Sequence, residues 1–392
     1  VHGNPVSLEE AKLQEPTVEA FANNFPDIFE QAVALEGTLR AFGQHAAGFV
    51  VAGEPIQNRA VLERRKGSNR VINWDKRSVE DFGLIKLDCL GLQTLDVLFL
   101  AKQKLKVQGI EIDYQKVPLD DRKVLNLFEK GKTVGVFQFE SGGMRHLLKE
   151  LSIGNDLTFE EISAVTALYR PGPMESGLME QYVNIKQGSE YPNYLHPVMK
   201  SALEETDSVI VYQEQVMQIA RDLAGFTMAE SDILRKAMGK KDPKIMALQK
   251  DKWVQGCIKT SGMEEQIASD LFDQVEKFAG YGFNKSHSIE YTVISYWCMW
   301  LKANYPAEFY ASALSILGED KLLPIVKEAE SLDIKIMPPD INRSSTVYEI
   351  DKTNGVKLYA PVQSIKGVSS LGAEAIAQAV KDHGPFTCKD DF

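Results

Sequence analysis

The chain has 392 residues, enough for two or three domains of roughly 100–200 residues each. Hydrophobic residues at 44% and charged residues at 25% exclude a disordered chain and call for a packed core. A net charge of −11 speaks against a protein that simply coats nucleic acid, but not against a nucleic-acid enzyme whose phosphate contacts come from local basic patches.

Residues 1–43 read as helical. Ser7 and Glu10 are spaced as a capping box, and Phe21, Phe25, Ile28, Phe29, Ala32 and Leu35 recur at a helical period. The pattern then changes to short strands at 48–53, 71–74 and 84–88, with a basic turn at 64–70. From about Thr94 the chain is mostly helical. Pro171 and Pro173 end one helix, and a second runs from about Gln213 to Gly225. Further helices are predicted at 228–238 with Gly239 as C-cap, at 243–260, at 263–278 and at 287–303. In the last, Tyr291, Ile294, Trp297, Cys298 and Leu301 form one stripe. Strands are predicted at 334–337 and 356–359. The fold class is therefore α+β, mostly helical.

The four cysteines, Cys89, Cys257, Cys298 and Cys388, form no Cys-x-x-Cys pair, which suits a reducing cytoplasmic setting and neither a disulfide framework nor a zinc site. No signal-peptide pattern is found in the sequence, and no apolar run reaches the ~18 residues of a membrane span. The chain starts at Val1 and stops at Phe392 inside what reads as an element, so both ends are expected to be cut edges.

Five strings carry chemistry, each with a plainer reading beside it. Asp88 ends an apolar strand next to Gly91, a place for a magnesium-ligating carboxylate or for a helix cap. Arg235, Lys236, Lys240 and Lys241 gather four cations around a helix end, suited to a triphosphate or to the helix dipole alone. In Gly280–Ser288, Lys285, Ser286 and Ser288 open a helix whose N-terminus favours an anion, and Tyr281 and His287 offer flat faces for a base. A glycine turn before a capped helix is the alternative. Tyr169-Arg170-Pro171-Gly172-Pro173 is a rigid turn presenting Arg170. Ser141, Gly142 and Gly143 precede a helix as a possible phosphate cradle.

Taken in order, Gly43–Gly48, Lys86–Leu92, Phe137–Ser141, Tyr169–Pro173, Tyr212–Met217, Leu234–Lys241 and Phe283–Ser288 resemble the bacterial C-family replicative DNA polymerases over nearly the whole chain. The resemblance implies a partial polymerase-beta-like palm with a large helical fingers domain. Residues 1–43 are then part of the thumb, 44–93 the closing part of the palm, 94–358 the fingers and 359–392 the start of a helix-hairpin-helix region. Asp88 matches the third of three aspartates that hold two Mg²⁺ ions; no Asp-x-Asp motif for the other two precedes it. Arg235, Lys240, Lys241, Ser141, Gly142, Tyr281 and His287 are implied to bind the nucleotide. Arg170, Lys285, Lys366 and Gly367 are implied to bind DNA. Ser369 stands where the family usually has the hairpin's second glycine, and Cys89 where an aromatic is common. The implied reaction is templated nucleotidyl transfer on primer-template DNA with dNTP substrates. A sliding clamp and other replisome subunits would be engaged through regions outside this chain. A non-catalytic replisome scaffold and a small-molecule nucleotidyltransferase are the competing readings.

Overall fold

The structure is a computed structural model. It describes the chain apart from residues 1–5, 39–42, 46, 65–69 and 241–242, and apart from the side chains of 239, 240, 243, 244, 278 and 279. Two units are present, residues 1–91 and 92–392.

The first unit opens with α1 (Leu8–Gln14), α2 (Pro16–Asn24) and α3 (Pro26–Leu35). The Ser7–Glu10 capping box forms as expected, with both hydrogen bonds at 3.2 Å. Prolines begin α2 and α3, where a missing N–H costs nothing. The periodic apolar residues of this region are not buried: Phe21, Phe25, Ile28 and Leu35 all stay exposed. Strand β1 (Gly48–Val51) pairs antiparallel with β4 (Ile85–Asp88), placing Gly48 opposite Asp88. A second ribbon joins β2 (Leu62–Arg64) to β3 (Arg70–Ile72). The sequence reading missed β2 because its Glu63-Arg64 leads into a charge run that looks like turn. The centre of that basic turn lies outside the described residues. Helix α4 (Lys76–Asp81), capped by Asp75, completes a small core of Ala60, Val79 and Leu84.

The second unit has two cores. The first is built from α5 (Gln93–Val107), α6 (Arg122–Glu129), α7 (Gly142–Leu151), α8 (Phe159–Leu168), the short α9 (Pro171–Glu175) and α10 (Leu178–Lys186). Pro171 thus ends α8 and also starts α9, as its fixed φ allows. The second core packs α11 (Lys200–Leu203), α12 (Gln213–Ala224), α13 (Met228–Lys240), α14 (Pro243–Ser261) and α15 (Glu265–Ala279) around the buried Trp253. Gly225 caps α12 in the left-handed region at φ +65°, as expected. Gly239 does not cap α13, which continues through it to Lys240.

The chain then returns to the first core with α16 (Lys285–Asn304), α17 (Pro306–Ile316) and α18 (Glu319–Glu330). The single stripe expected on α16 understates its burial. Packed against α5, α6, α8 and α17, it also buries Ser288, Thr292, Ser295, Tyr296, Met299 and Lys302. Small hydroxyl residues suit this crowding because each finds an acceptor: Thr292 donates to the Ser288 carbonyl at 2.7 Å and Ser295 to the Phe137 carbonyl at 2.8 Å.

A three-stranded sheet follows, in the order β5 (Ile334–Met337), β7 (Val356–Tyr359), β6 (Glu349–Asp351), with β5 parallel and β6 antiparallel to β7. β6, only three residues long, was not predicted. Beyond it, exposed Lys366 and Gly367 form a turn before α19 (Ser370–His383). Gly367 has φ +96°, which only glycine adopts without strain. Ser369 caps α19, accepting from the Gly372 N–H at 3.1 Å, so the departure from the family pattern has a structural use. The described residues are thus α+β and mostly helical, and no helix among them is long and apolar enough to cross a membrane.

Candidate functional site

In the first unit, Asp88 closes β4 with its side chain about half exposed. Lys86, two residues earlier on the same face of the strand, places its ammonium against Asp88 Oδ1, and His45 Nε2 lies 3.7 Å from the same oxygen. The Lys86 ammonium holds the Asp88 carboxyl below the usual carboxylate range, with lesser help from His45. Gly48, opposite Asp88, makes room for this group: a β-carbon there would sit 2.9 Å from His45 Nδ1 and 3.1 Å from Lys86 Cε. Asp88 therefore does not cap α5, whose N-cap is Leu92. It is a hard oxygen donor of the kind Mg²⁺ takes. Yet one oxygen is already engaged, and no group of three His, Cys, Asp or Glu placed to hold a metal ion occurs among the described residues. Those residues alone do not make a magnesium site.

In the second unit, three of the singled-out strings meet. A cavity of about 280 Å³ is lined by Gln138 and Met144, by Thr166, Tyr169 and Arg170, and by Phe283, His287, Ser288 and Tyr291. The exposed His287 ring stands edge-on to Phe283 at 5.4 Å and 4.2 Å from Tyr291. Phe137 packs on the other side of Tyr291 at 5.6 Å. At the Ser141 end of the first string, Ser141 caps α7, accepting from the Met144 N–H at 3.2 Å, and it and Gly142 are exposed. Gly143 allows the Tyr169 hydroxyl to lie where a β-carbon would be, 2.0 Å from its ideal position.

Several expected contacts are already taken by protein groups. Arg170 is half-buried and does not project as a free DNA contact. It donates to the Ala167 and Tyr281 carbonyls at 3.0 Å each, and its guanidinium lies 4.3 Å from the centre of the Phe283 ring. Burial pushes its pKa down. Tyr281 is half-buried. Its ring packs on Gly172, where a β-carbon would meet it at 2.6 Å, and is not among the residues lining the cavity. The α16 N-terminus does favour an anion, but the anion is Glu214. That carboxylate accepts from the Lys285 N–H and from Asn284 Nδ2, both at 2.9 Å. The Lys285 ammonium is held by Glu205 at 2.5 Å, and Asn284 rather than a serine caps the helix. Ser288 is buried, sharing a 2.7 Å hydrogen bond with Thr166.

Arg235 is likewise engaged. It donates twice to Asp232 Oδ1, at 2.7 and 2.9 Å, and to Gln213 Oε1 at 3.2 Å. Lys236 first, then Arg235, keeps the Asp232 carboxyl below its ordinary value. Gln213 links this helix to the cavity, because its N–H donates to the Phe283 carbonyl at 2.9 Å. The side chain of Lys240 and all of Lys241 lie outside the described residues.

The sequence reading missed Lys86 and His45 beside Asp88, Tyr169, Phe283 and Tyr291 around His287, and Glu214 at α16. Lys86 had a local signal, since residues i and i+2 share a strand face. Glu214 had none: its partners lie 70 and 71 residues away.

Comparison with known proteins places the chain in a family. A family model for the bacterial DNA polymerase III alpha subunit finger domain matches residues 94–261. One for the bacterial DNA polymerase III alpha NTPase domain matches 4–91, and one for the helix-hairpin-helix motif matches 333–392. The DNA polymerase III subunit alpha of Yersinia pestis is 42% identical to this chain, with 99% of this chain and 38% of that protein aligned. That of Aquifex aeolicus (strain VF5) is 44% identical over 93% of this chain and 31% of its own length. That of Escherichia coli (strain K12) is 39% identical over 96% and 33%. The chain thus spans about a third of the length of these curated relatives. On the strength of these matches, the chain belongs to the bacterial DNA polymerase III alpha-subunit family.

Proposed function

We propose that this chain is the palm-edge and fingers part of a replicative, DNA-directed DNA polymerase that transfers nucleotides from dNTPs to a primer on template DNA. Residues 1–43 would serve as part of the thumb, 44–93 as the closing part of a polymerase-beta-like palm, 94–358 as fingers and 359–392 as the start of a hairpin region gripping DNA through Lys366 and Gly367. One observation carries the reading of the fingers. Strings separated by up to about 150 residues of sequence, at Gln138–Met144, Thr166–Arg170 and Phe283–Tyr291, line one aromatic cavity. A core built only for stability has no need to leave such a space open.

In this reading His287, Phe283 and Tyr291 give a flat, sequence-tolerant surface for a base, as aromatic side chains do for single-stranded nucleic acid. Arg235 and Lys240, with Lys241, Ser141 and Gly142 as helpers, receive the triphosphate. For Arg235 this means exchanging Asp232 for phosphate, a trade of one charge-assisted contact for another. Lys285 would exchange Glu205 for DNA phosphate in the same way. Asp88 is the carboxylate the chain contributes to a two-magnesium centre, the other oxygen ligands coming from elsewhere in such a polymerase. By itself the 392-residue chain is then expected to extend no primer.

A non-catalytic scaffold is the second reading, favoured by the protein partners already held by Asp88, Arg235 and Lys285. Steady-state kinetics of a complete alpha subunit carrying Arg235→Ala, paired with a DNA-binding titration, separates the two. Loss of the contact is worth about 1.5–3 kcal/mol, or one to two decades in kcat/KM for dNTP, with DNA affinity nearly intact. An unchanged dNTP dependence would return Arg235 to a helix-surface ion pair.

A further inference from the structure

Gln138 lines the cavity in a backbone conformation that is costly for it. Its φ is +62°, in the left-handed region that disfavours residues with a β-carbon, and glutamine is not among those that tolerate it. The residues around it enforce the conformation. The Phe137 carbonyl accepts from Ser295 Oγ at 2.8 Å, and the Phe139 carbonyl accepts from the buried Thr133 Oγ1 at 2.6 Å. Phe139 is fully buried, edge-on to Phe128 at 5.2 Å. Glycine would take this position without strain. What glutamine adds is a side chain, and that side chain is exposed at the cavity with no hydrogen bond to any described residue. Strain held by surrounding structure at a ligand cavity points toward function. Of the neighbouring polar groups, Thr166 and Ser288 bond each other, and Arg170 is spent on carbonyls.

We infer that Gln138 is a nucleotide-binding residue whose carboxamide N–H donates to an acceptor shared by all four bases, purine N3 or pyrimidine O2. The inference rests on the reading of the cavity as a nucleotide site. An enzyme that must accept four bases cannot use a base-specific contact, and the minor-groove acceptors are the feature A·T and T·A pairs present alike, retained in G·C.

The test is equilibrium binding of dATP and 3-deaza-dATP, which lacks the N3 acceptor, to the 392-residue chain, with melting temperatures measured alongside. The wild-type chain is expected to favour dATP by about five- to tenfold, the worth of one neutral hydrogen bond. Gln138→Ala should bind both ligands equally, at the weaker level. Gln138→Gly should bind like Gln138→Ala yet melt about 1–2 °C higher, because the strain is gone. A Gln138→Ala variant that keeps the wild-type preference overturns the inference while leaving the site reading standing. So does a wild-type chain that binds both ligands alike, or a Gln138→Gly variant that melts lower. A wild-type chain that binds no dATP overturns the site reading and the inference together.

Discussion

The two units treat their apolar residues differently. In the second, large side chains such as Trp253, Tyr296 and Phe309 are wholly enclosed, each worth roughly 1.5–3 kcal/mol of burial. In the first, β1 and β4 show an equally clear apolar pattern, yet Phe49, Val51, Ile85 and Leu87 remain 46–62% exposed on one face of the ribbon. The opposite face carries Val50 with the charged Lys86 and Asp88, and two strands alone are marginal in water. Asp88 thus sits on an element that its own unit stabilises weakly, whereas the cavity residues are clamped by a large core. Loss of the Asp88 carboxylate and loss of a core contact in the second unit should therefore have separable effects.

The largest effect is expected from Asp88→Asn placed in a complete alpha subunit. Turnover should fall by more than about 100-fold, as for loss of a metal ligand or its close support. Melting of the 392-residue chain should hardly change, since the side chain is half exposed. Near-normal turnover would make Asp88 only the partner of Lys86.

Lys302→Met should do the reverse. The Lys302 ammonium is buried, donating to the Lys132 and Val134 carbonyls at 2.8 and 2.9 Å and to Glu328, which also accepts from Tyr310. Removing it leaves the largely enclosed Glu328 carboxylate without its cation and two carbonyls without their donor, at a cost of about 3–5 kcal/mol. Hydrogen exchange should show faster opening across α16, α17 and α18 and unchanged rates in residues 48–88. Loss of protection in the first unit as well would mean that the two do not open independently.

How much of this was legible beforehand follows from the range of the interactions. The capping box of Ser7, the Gly225 cap and strands β1, β4, β5 and β7 depend on neighbours in sequence, and all were readable. The burial of α16 on most of its faces was not, because Ser288 and Ser295 look like surface residues until their acceptors at Ser163 and Phe137 are in place. The strings that line the cavity were found, but the packing of Tyr281 was not. Nothing local says that its ring lies on Gly172, 109 residues earlier, and the aromatic beside His287 is instead Tyr291, one helical turn on.

Arg170→Lys refines the picture of the cavity wall. A lysine cannot reproduce two carbonyl contacts and the stacking on Phe283. A loss of about 1.5–3 kcal/mol is expected in the second unit, seen as a lower denaturant midpoint. Unchanged stability with weaker DNA binding would restore Arg170 as a direct DNA contact.

The smallest effect concerns pH. Lys252, then the Thr227 N–H and hydroxyl, hold the Glu230 carboxyl down at about 2 against an ordinary 4.5. Its stabilisation of α13 on α14 is therefore present above about 4.5 and is lost as pH falls toward about 2. Glu230→Gln should flatten that part of the acid denaturation curve. A curve identical to wild type would mean the pair contributes nothing.

The most direct test of the nucleotide site is photolabelling of the 392-residue chain with 8-azido-dATP, followed by peptide mapping. Label is expected on peptides containing Tyr169, Phe283, His287 or Tyr291, and excess dATP should suppress it. Label confined to other peptides, or label that dATP does not suppress, would contradict the assignment of the cavity.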